Sequence, residues 1–303
     1  MTSSDPAAPA VALAELSSLR ETLEAHGLLA KKSFGQHFLL DLNITRKIVR
    51  LAGPFDGRTV IEVGPGPGGL TRALLESDAG HVIAVEKDAR FIPLLSELAE
   101  VCPGRFTVLE ADATRVDEVA LLEAHTPGQT GHLVSNLPYN VGTPLLIKWL
   151  TGPWRFQALT LMFQLEVARR IVATVGDDDY GRLAVISQAL CQARMVLELP
   201  ARAFTPPPKV ASAVVHLTPL PDRLSDRQIR TLENLTAAAF GQRRKMLRAS
   251  LKGVGGEALC EAAGIIPTAR AEEVDVAGFL RLTQARLDQI DAQRGIGSTD
   301  QGS

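Results

Sequence analysis

The chain has 303 residues, 46% of them hydrophobic, enough for one large domain and a small one. No apolar run approaches the roughly 18 residues of a membrane span. The first ten residues lack a signal peptide's pattern, and Cys102, Cys191 and Cys260 stand too far apart for a disulfide framework or zinc site, which fits a reducing cytoplasm. A net charge of −2 conceals an asymmetry, with 18 Lys/Arg against 23 Asp/Glu in residues 1–200 and 14 against 11 in residues 201–303, a hint of a polyanionic partner for the tail.

Residues 1–30 form an N-terminal extension, and residues 1–12, small, polar and Pro-containing, are expected to be disordered. Residues 13–28 read as a short helix with Leu16, Leu19, Leu23 and Leu28 on one face. Over residues 59–164 strand and helix alternate. Strands are predicted at 59–63, 81–86, 106–109, 132–135 and 158–163, and helices at 68–77, 89–100 and 143–150. Such alternation predicts a mostly parallel sheet covered on both faces, with right-handed crossovers. Residues 195–199 and 212–217 read as an antiparallel hairpin with a short loop at the sheet edge. Beyond Pro219 and Pro221 the pattern turns helical, at 226–240, 243–251, 256–263 and 276–290. The expected domains are therefore an α/β domain over 31–220, a small all-α domain over 221–295 and a disordered tail over 296–303.

A glycine loop, Gly64-Pro65-Gly66-Pro67-Gly68-Gly69, follows the first strand and opens a helix. It matches G-x-G-x-x-G formally, and Glu86 closes the next strand 20 residues past Gly66, where a ribose-binding acid belongs. A nicotinamide dehydrogenase shares that signature. Its pyrophosphate, however, needs backbone N–H groups, and Pro65 and Pro67 remove two of them. S-adenosylmethionine carries no phosphate and tolerates the loss. Gly64, Glu86 and Asp112 suit, in chain order, its aminoacyl end, its ribose and its adenine amine. Glu86 alone also reads as a surface acid, and Asp112 equally well as a helix N-cap.

Asn136-Leu137-Pro138-Tyr139 follows the fourth strand. An amide oxygen, backbone carbonyls and an aromatic face at one point suit a flat, poorly nucleophilic amine such as the exocyclic nitrogen of adenine. Acceptors on its hydrogens leave the lone pair free, and the ring holds the base by stacking, so methyl transfer onto a base is indicated. A plain turn with a packed tyrosine remains the alternative. Phe204, in a loop stiffened by Pro206, Pro207 and Pro208, is a second candidate ring or else a hydrophobic plug. Lys31, Lys32, Arg46, Lys47 and the run Arg243, Arg244, Lys245, Arg248 and Lys252 are candidate phosphate contacts or solvated faces, and Arg169-Arg170 reads as such a face.

Taken together, these motifs resemble the ribosomal RNA adenine dimethyltransferase family over residues 31–280. The landmarks are Lys32-Ser33-Phe34-Gly35-Gln36-His37-Phe38-Leu39, the glycine loop, Asn136 to Tyr139, Tyr180-Gly181-Arg182-Leu183, Phe204 to Val210 and Ala239-Phe240-Gly241-Gln242-Arg243-Arg244-Lys245. The resemblance implies a Rossmann-like class I S-adenosylmethionine-dependent methyltransferase sheet with a small all-α C-terminal domain. It implies dimethylation at N6 of two adjacent adenosines near the 3′ end of 16S rRNA, within a 30S assembly particle in the cytoplasm, by a monomer without metal or membrane. The cofactor positions it implies are His37, Leu39, Gly64, Glu86, Asp112 and Asn136. The catalytic positions are Asn136, Leu137, Pro138, Tyr139 and Phe204, and RNA contacts fall on Lys31, Lys32, Arg243, Arg244, Lys245 and Arg248. Position 37 is often Asn in bacterial relatives, and a histidine there can still donate one hydrogen bond. No Cys stands near Asn136 in the chain and no His follows it closely, the nearest being His132 inside the strand, in keeping with transfer that needs no strong base. A sister enzyme acting on large-subunit rRNA, a non-catalytic RNA-binding factor of the same fold and, last, a dehydrogenase are the alternatives.

Overall fold

In a computed structural model of the chain, residues 13, 15–28, 37–153, 156–242 and 244–297 are described, with side chains of 294–297 excepted. The disorder expected for 1–12 and for 298–303 lies outside these residues. Seven strands form one sheet: β1 (Thr59–Val63), β2 (His81–Glu86), β3 (Phe106–Glu110), β4 (Gly131–Asn136), β5 (Phe156–Gln164), β6 (Cys191–Leu199) and β7 (Ser212–Pro219). Their order is β3-β2-β1-β4-β5-β7-β6. Strands β1 to β5 pair in parallel, and β7 runs antiparallel to β5. All five residues of β1 are buried, as a strand covered on both faces requires. β6 and β7 are neighbours at one edge as expected, but residues 200–211 connect them in place of a short turn.

Helices at Gly69–Leu75, Ile92–Val101 and Gly142–Thr151 fall where periodicity put them. Within residues 15–28 the expected helix is Leu19–Ala25, opened by a capping box: Ser18 Oγ accepts from Glu21 N–H at 3.3 Å, and the Glu21 carboxylate accepts from Ser18 N–H at 2.8 Å. Helices at Leu42–Ala52, Glu118–His125, Leu165–Val172 and Arg182–Leu190 were not anticipated. The first two start at aspartate caps, Asp41 on Asn43 N–H and Asp117 on the N–H groups of Val119 and Ala120. Those caps were readable signals. The helix expected over 243–251 shrinks to Leu247–Ser250. The last helix, Val276–Gly297, runs past the expected start of the tail.

The chain divides into two compact units, Met1–Trp149 with Pro153–Ala168 and Arg194–Thr218, and Leu150–Gly152 with Arg169–Ala193 and Pro219–Ser303. A single cut near Pro221 therefore misassigns residues 169–193. Burial explains why. Tyr180, Ala184 and Val185 join Leu232, Leu259 and Phe279 in the core of the second unit, and Tyr180 donates its hydroxyl to the Val274 carbonyl at 2.9 Å. The core of the first unit gathers Phe38, Leu74, Phe91, Leu95, Val134, Met162 and Phe204.

Candidate active site

Connections leave β1 and β4 in opposite directions along the sheet, so their carboxyl ends open a crevice at the switch point. β1 runs on into Gly64, and β4 ends at Asn136. A cavity of about 260 Å³ lies there, with His37, Leu39, Glu62, Gly64, Glu86, Leu137, Pro138 and Tyr139 in its wall beside Asn136. Sequence-distant segments thus converge because parallel strands deliver their ends to one edge.

Gly64 and Gly66 adopt φ of +67° and +55°, the left-handed region that side chains disfavour. Gly64 N–H donates to the Val85 carbonyl at 2.9 Å and Gly68 N–H to the Pro65 carbonyl at 3.1 Å. Gly66 N–H donates to Glu86 Oε2 at 3.0 Å. These three N–H groups are therefore used inside the protein, and Pro65 and Pro67 have none. A loop wired this way offers a pyrophosphate no free N–H from Gly64 to Gly68, which counts against the dehydrogenase reading. Gly69 opens the following helix so close to the chain that an added Cβ would stand 2.6 Å from the Leu39 carbonyl oxygen. Gly69→Ala is expected to destabilise the protein by about 1–3 kcal/mol through overpacking. A midpoint lowered by several degrees in thermal unfolding checks it, and an unchanged midpoint contradicts it.

Two carboxyl groups line the cavity. Glu86 is 7% exposed and accepts from Gly66 and, through Oε1, from Asp88 N–H at 2.8 Å. Burial raises its pKa, and the backbone donors partly offset that. Each oxygen keeps a second lone pair for a ligand hydroxyl. The reading of Glu86 as a bare surface acid is thereby removed. Glu62, assigned no role from the sequence, is 1% exposed and accepts from the Thr71 hydroxyl at 2.7 Å. Burial pushes its pKa up to about 8. The readable signal was an acid inside an otherwise apolar strand. Asp112 lies two residues past Glu110, the register partner of Glu86. It is not in the cavity wall. Its carboxylate accepts from Lys87 Nζ at 2.8 Å and from both N–H and hydroxyl of Thr114, and the Lys87 bond, then Thr114, holds its pKa well below the usual range. In this structure Asp112 closes a turn at Thr114, and the cap of the next helix is Asp117, so Asp112 is not the helix N-cap its alternative reading expected.

Asn136 carries its side chain at the cavity, and among the described residues nothing hydrogen-bonds its amide. The neighbouring Ser135 hydroxyl donates to the Val63 carbonyl, tying β4 to β1. Leu137 is buried, and the Pro138 carbonyl accepts from the N–H groups of Val141 and Gly142 at 3.1 Å each. Of the backbone acceptors expected in this tetrapeptide, that of Pro138 is therefore taken. Tyr139 is half-buried. Its hydroxyl bonds Ser212 Oγ at 2.7 Å, and its ring stacks on His37 with centroids 5.8 Å apart. His37 Nδ1 donates to the Pro206 carbonyl at 2.8 Å. That is the one hydrogen bond a neutral imidazole can donate, so it is spent inside the protein and Nε2 is left as an acceptor. It also places a histidine in the cavity that holds Asn136, which the chain order had hidden. Phe204 is 2% exposed, in the hydrophobic core, and outside the cavity wall. It is a plug, and its ring offers a base no face here.

The profile of the family described as Ribosomal RNA adenine dimethylase matches residues 27–286. The chain belongs to the ribosomal RNA adenine dimethylase family. It is 64% identical over 282 residues, 93% of its own length and 97% of the relative's, to the Ribosomal RNA small subunit methyltransferase A of Phenylobacterium zucineum. A relative of the same name from Caulobacter vibrioides is 64% identical over 263 residues, covering 87% and 100%. Among solved structures, a dimethyladenosine transferase from Plasmodium falciparum superposes with TM-score 0.67 at 27% identity, over 81% of this chain and 96% of that one. The 23S rRNA methyltransferase ErmE gives 0.61 at 29%, over 83% and 100%. The class I S-adenosylmethionine-dependent methyltransferase fold and an rRNA adenine dimethyltransferase activity follow from membership, and the non-catalytic alternative falls.

For this dimethylase, the expected phosphate contacts divide by environment. Lys31, Lys32 and Arg243 lie outside the described residues. Arg46 is paired with Glu76 through Nε at 2.6 Å and a second nitrogen at 2.9 Å, so it is no open phosphate contact. Lys47, Arg244, Lys245, Arg248 and Lys252 are exposed. Among the described residues no three His, Cys, Asp or Glu side chains are grouped to hold a metal ion, and no helix is long and apolar enough to cross a membrane.

Proposed function

We propose that this dimethylase adds two methyl groups to N6 of each of two adjacent adenosines near the 3′ end of 16S rRNA. It acts on a 30S assembly particle in the cytoplasm, as a monomer. The observation that carries this is the convergence of Asn136 and Tyr139 with two buried carboxyl groups on one cavity at the switch point. The cavity suits S-adenosylmethionine, which has cationic sulfonium and ammonium groups, ribose hydroxyls and no phosphate. Glu62 offers negative charge, Glu86 offers acceptors, and the loop offers no free N–H between Gly64 and Gly68 for an anion. Leu39 and Gly64 shape the wall. Asp112, although paired with Lys87, stands at the same sheet edge and would serve the adenine amine if that pair opened.

Bound there, the cofactor supplies a methyl group already activated on a sulfonium. Asn136 Oδ1 accepts from the substrate amine and, with the Leu137 carbonyl, orients it so that its lone pair faces the methyl. Tyr139 holds the base by stacking, worth about 1–3 kcal/mol per base. Positioning then lowers most of the barrier, and the amine loses its proton only after attack. Arg244, Lys245 and Arg248, exposed on the helical unit, would neutralise rRNA phosphates. The curated relatives are named for the small subunit at 64% identity, whereas ErmE is 29% identical. Unmethylated 30S particles incubated with labelled cofactor should take label on two adjacent adenosines near the 3′ end of 16S rRNA. Label in 23S rRNA alone would overturn the assignment, and a parallel arm with free 16S rRNA tests the particle requirement.

Glu62 makes cofactor binding pH-dependent. Its pKa of about 8 means it is protonated below that pH in the empty cavity, whereas a bound cation favours the carboxylate. Affinity should therefore rise from pH 6 to about 8, by at most about tenfold per unit, with proton release on binding. Calorimetry in buffers of different ionisation enthalpy measures this. Glu62→Gln should abolish the release that wild type shows, and equal release from both proteins contradicts the assignment.

A further inference from the structure

The Tyr139 hydroxyl ends on a residue that no motif includes. Ser212 is the first residue of β7, 73 positions from Tyr139, and is fully buried. A buried serine hydroxyl needs a partner, and its partner is the half-buried Tyr139 hydroxyl at 2.7 Å. Topology puts it there. β5 runs parallel to β4, so its last residue, Gln164, lies at the carboxyl edge of the sheet, the edge where Asn136 ends β4. β7 runs antiparallel to β5 and pairs Ser212 with Gln164. The one antiparallel strand beside β5 therefore presents its first residue, not its last, to the catalytic edge. On a face, the same ring meets the His37 imidazole, which is itself bonded to the Pro206 carbonyl.

We propose that Ser212 is a positioning residue: its hydroxyl holds the Tyr139 ring at the tilt required to stack the target adenine. This rests on the reading of Tyr139 as the stacking ring. The ring supplies the stacking surface, and Ser212 removes its freedom to swing, so the ordering cost is met in folding and not at substrate binding.

Three variants test it: Ser212→Ala, Tyr139→Phe and the double. Tyr139→Phe removes the same bond from the cavity side, where folding is at less risk. Each single variant should lower single-turnover methyl transfer about tenfold, the range expected for a loosened reactant-positioning group, with the cofactor Kd unchanged. The double should be no slower than either single. A second readout needs no substrate. The chain has two tyrosines, so 3-fluorotyrosine labelling reports Tyr139 beside Tyr180 as an internal control. The Tyr139 fluorine line should sharpen in Ser212→Ala as the ring begins to average, while that of Tyr180 stays unchanged. Wild-type rates in Ser212→Ala, additive losses in the double, or an unaltered Tyr139 line would each overturn the proposal. A wild-type protein that places no methyl on 16S rRNA would instead sink the reading of the site, while the fluorine line still reports on the tether.

Discussion

Asn136→Ala is expected to lower single-turnover methyl transfer by about a hundred- to a thousandfold, while the cofactor Kd changes only a few-fold. The amide stands at the cavity with no partner among the described residues, and β4 is fixed beneath it by Ser135 on the Val63 carbonyl. Removing it leaves the strand and the glycine loop intact. What is lost is an acceptor used where the substrate amine turns its lone pair toward the methyl. Preorganised hydrogen-bond groups of this kind are worth about a hundred- to a thousandfold when deleted. Asn136→Asp separates geometry from charge: the acceptor survives, so transfer should exceed that of the alanine variant. Cofactor affinity and rate falling in parallel in Asn136→Ala would show that Asn136 binds the cofactor and has no separate role toward the amine.

Glu86→Ala is expected to do the reverse, weakening cofactor binding about a hundredfold or more. Two charge-assisted hydrogen bonds from ribose hydroxyls are at stake, each about 1.5–3 kcal/mol. The variant also leaves Gly66 N–H without its acceptor, in a loop whose φ of +55° at that glycine depends on its surroundings. An unsatisfied buried N–H costs about 1–3 kcal/mol, so a lower melting temperature should accompany the loss of affinity. Glu86→Gln keeps a carbonyl acceptor for one of the two backbone donors and turns an NH2 toward the other, so it should be intermediate. Isothermal titration decides, and an alanine variant that binds S-adenosylmethionine at wild-type affinity would remove Glu86 from the site.

These two residues are legible in the sequence because each closes a strand and stands at a fixed distance from a local signature. Gly64 and Gly66 announce a left-handed turn, and Glu86 ends the following strand. Glu62 was legible in principle, as an acid in an apolar strand, but its raised pKa comes from burial in the folded chain, which the Thr71 hydroxyl only partly offsets. At Arg46, Asp112 and Phe204 the structure shows a partner that the sequence does not, for one reason. Whether a cation, an acid or a ring faces a ligand depends on which neighbour reaches it first. Glu76, Lys87 and the hydrophobic core are 30, 25 and many residues away respectively. The helix Arg182–Leu190 was missed because its partners, Leu232 and Phe279 among them, lie in a later segment, and burial sets its apolar pattern.

The amino-acid order by itself determined the succession of the seven strands and of the helices that follow β1, β2 and β4, the glycine turn, and which residues stand at strand ends. Hydrophobic period, proline and glycine act on their own neighbourhood, so no distant contact is needed to read them. Only the tertiary structure decided which of those residues share a cavity. The strand order β3-β2-β1-β4-β5-β7-β6, with its reversal at β7, brings Glu62, Glu86, Asn136, Tyr139 and Ser212 to one edge, and that order is set by burial of both sheet faces at once, a property of the whole chain.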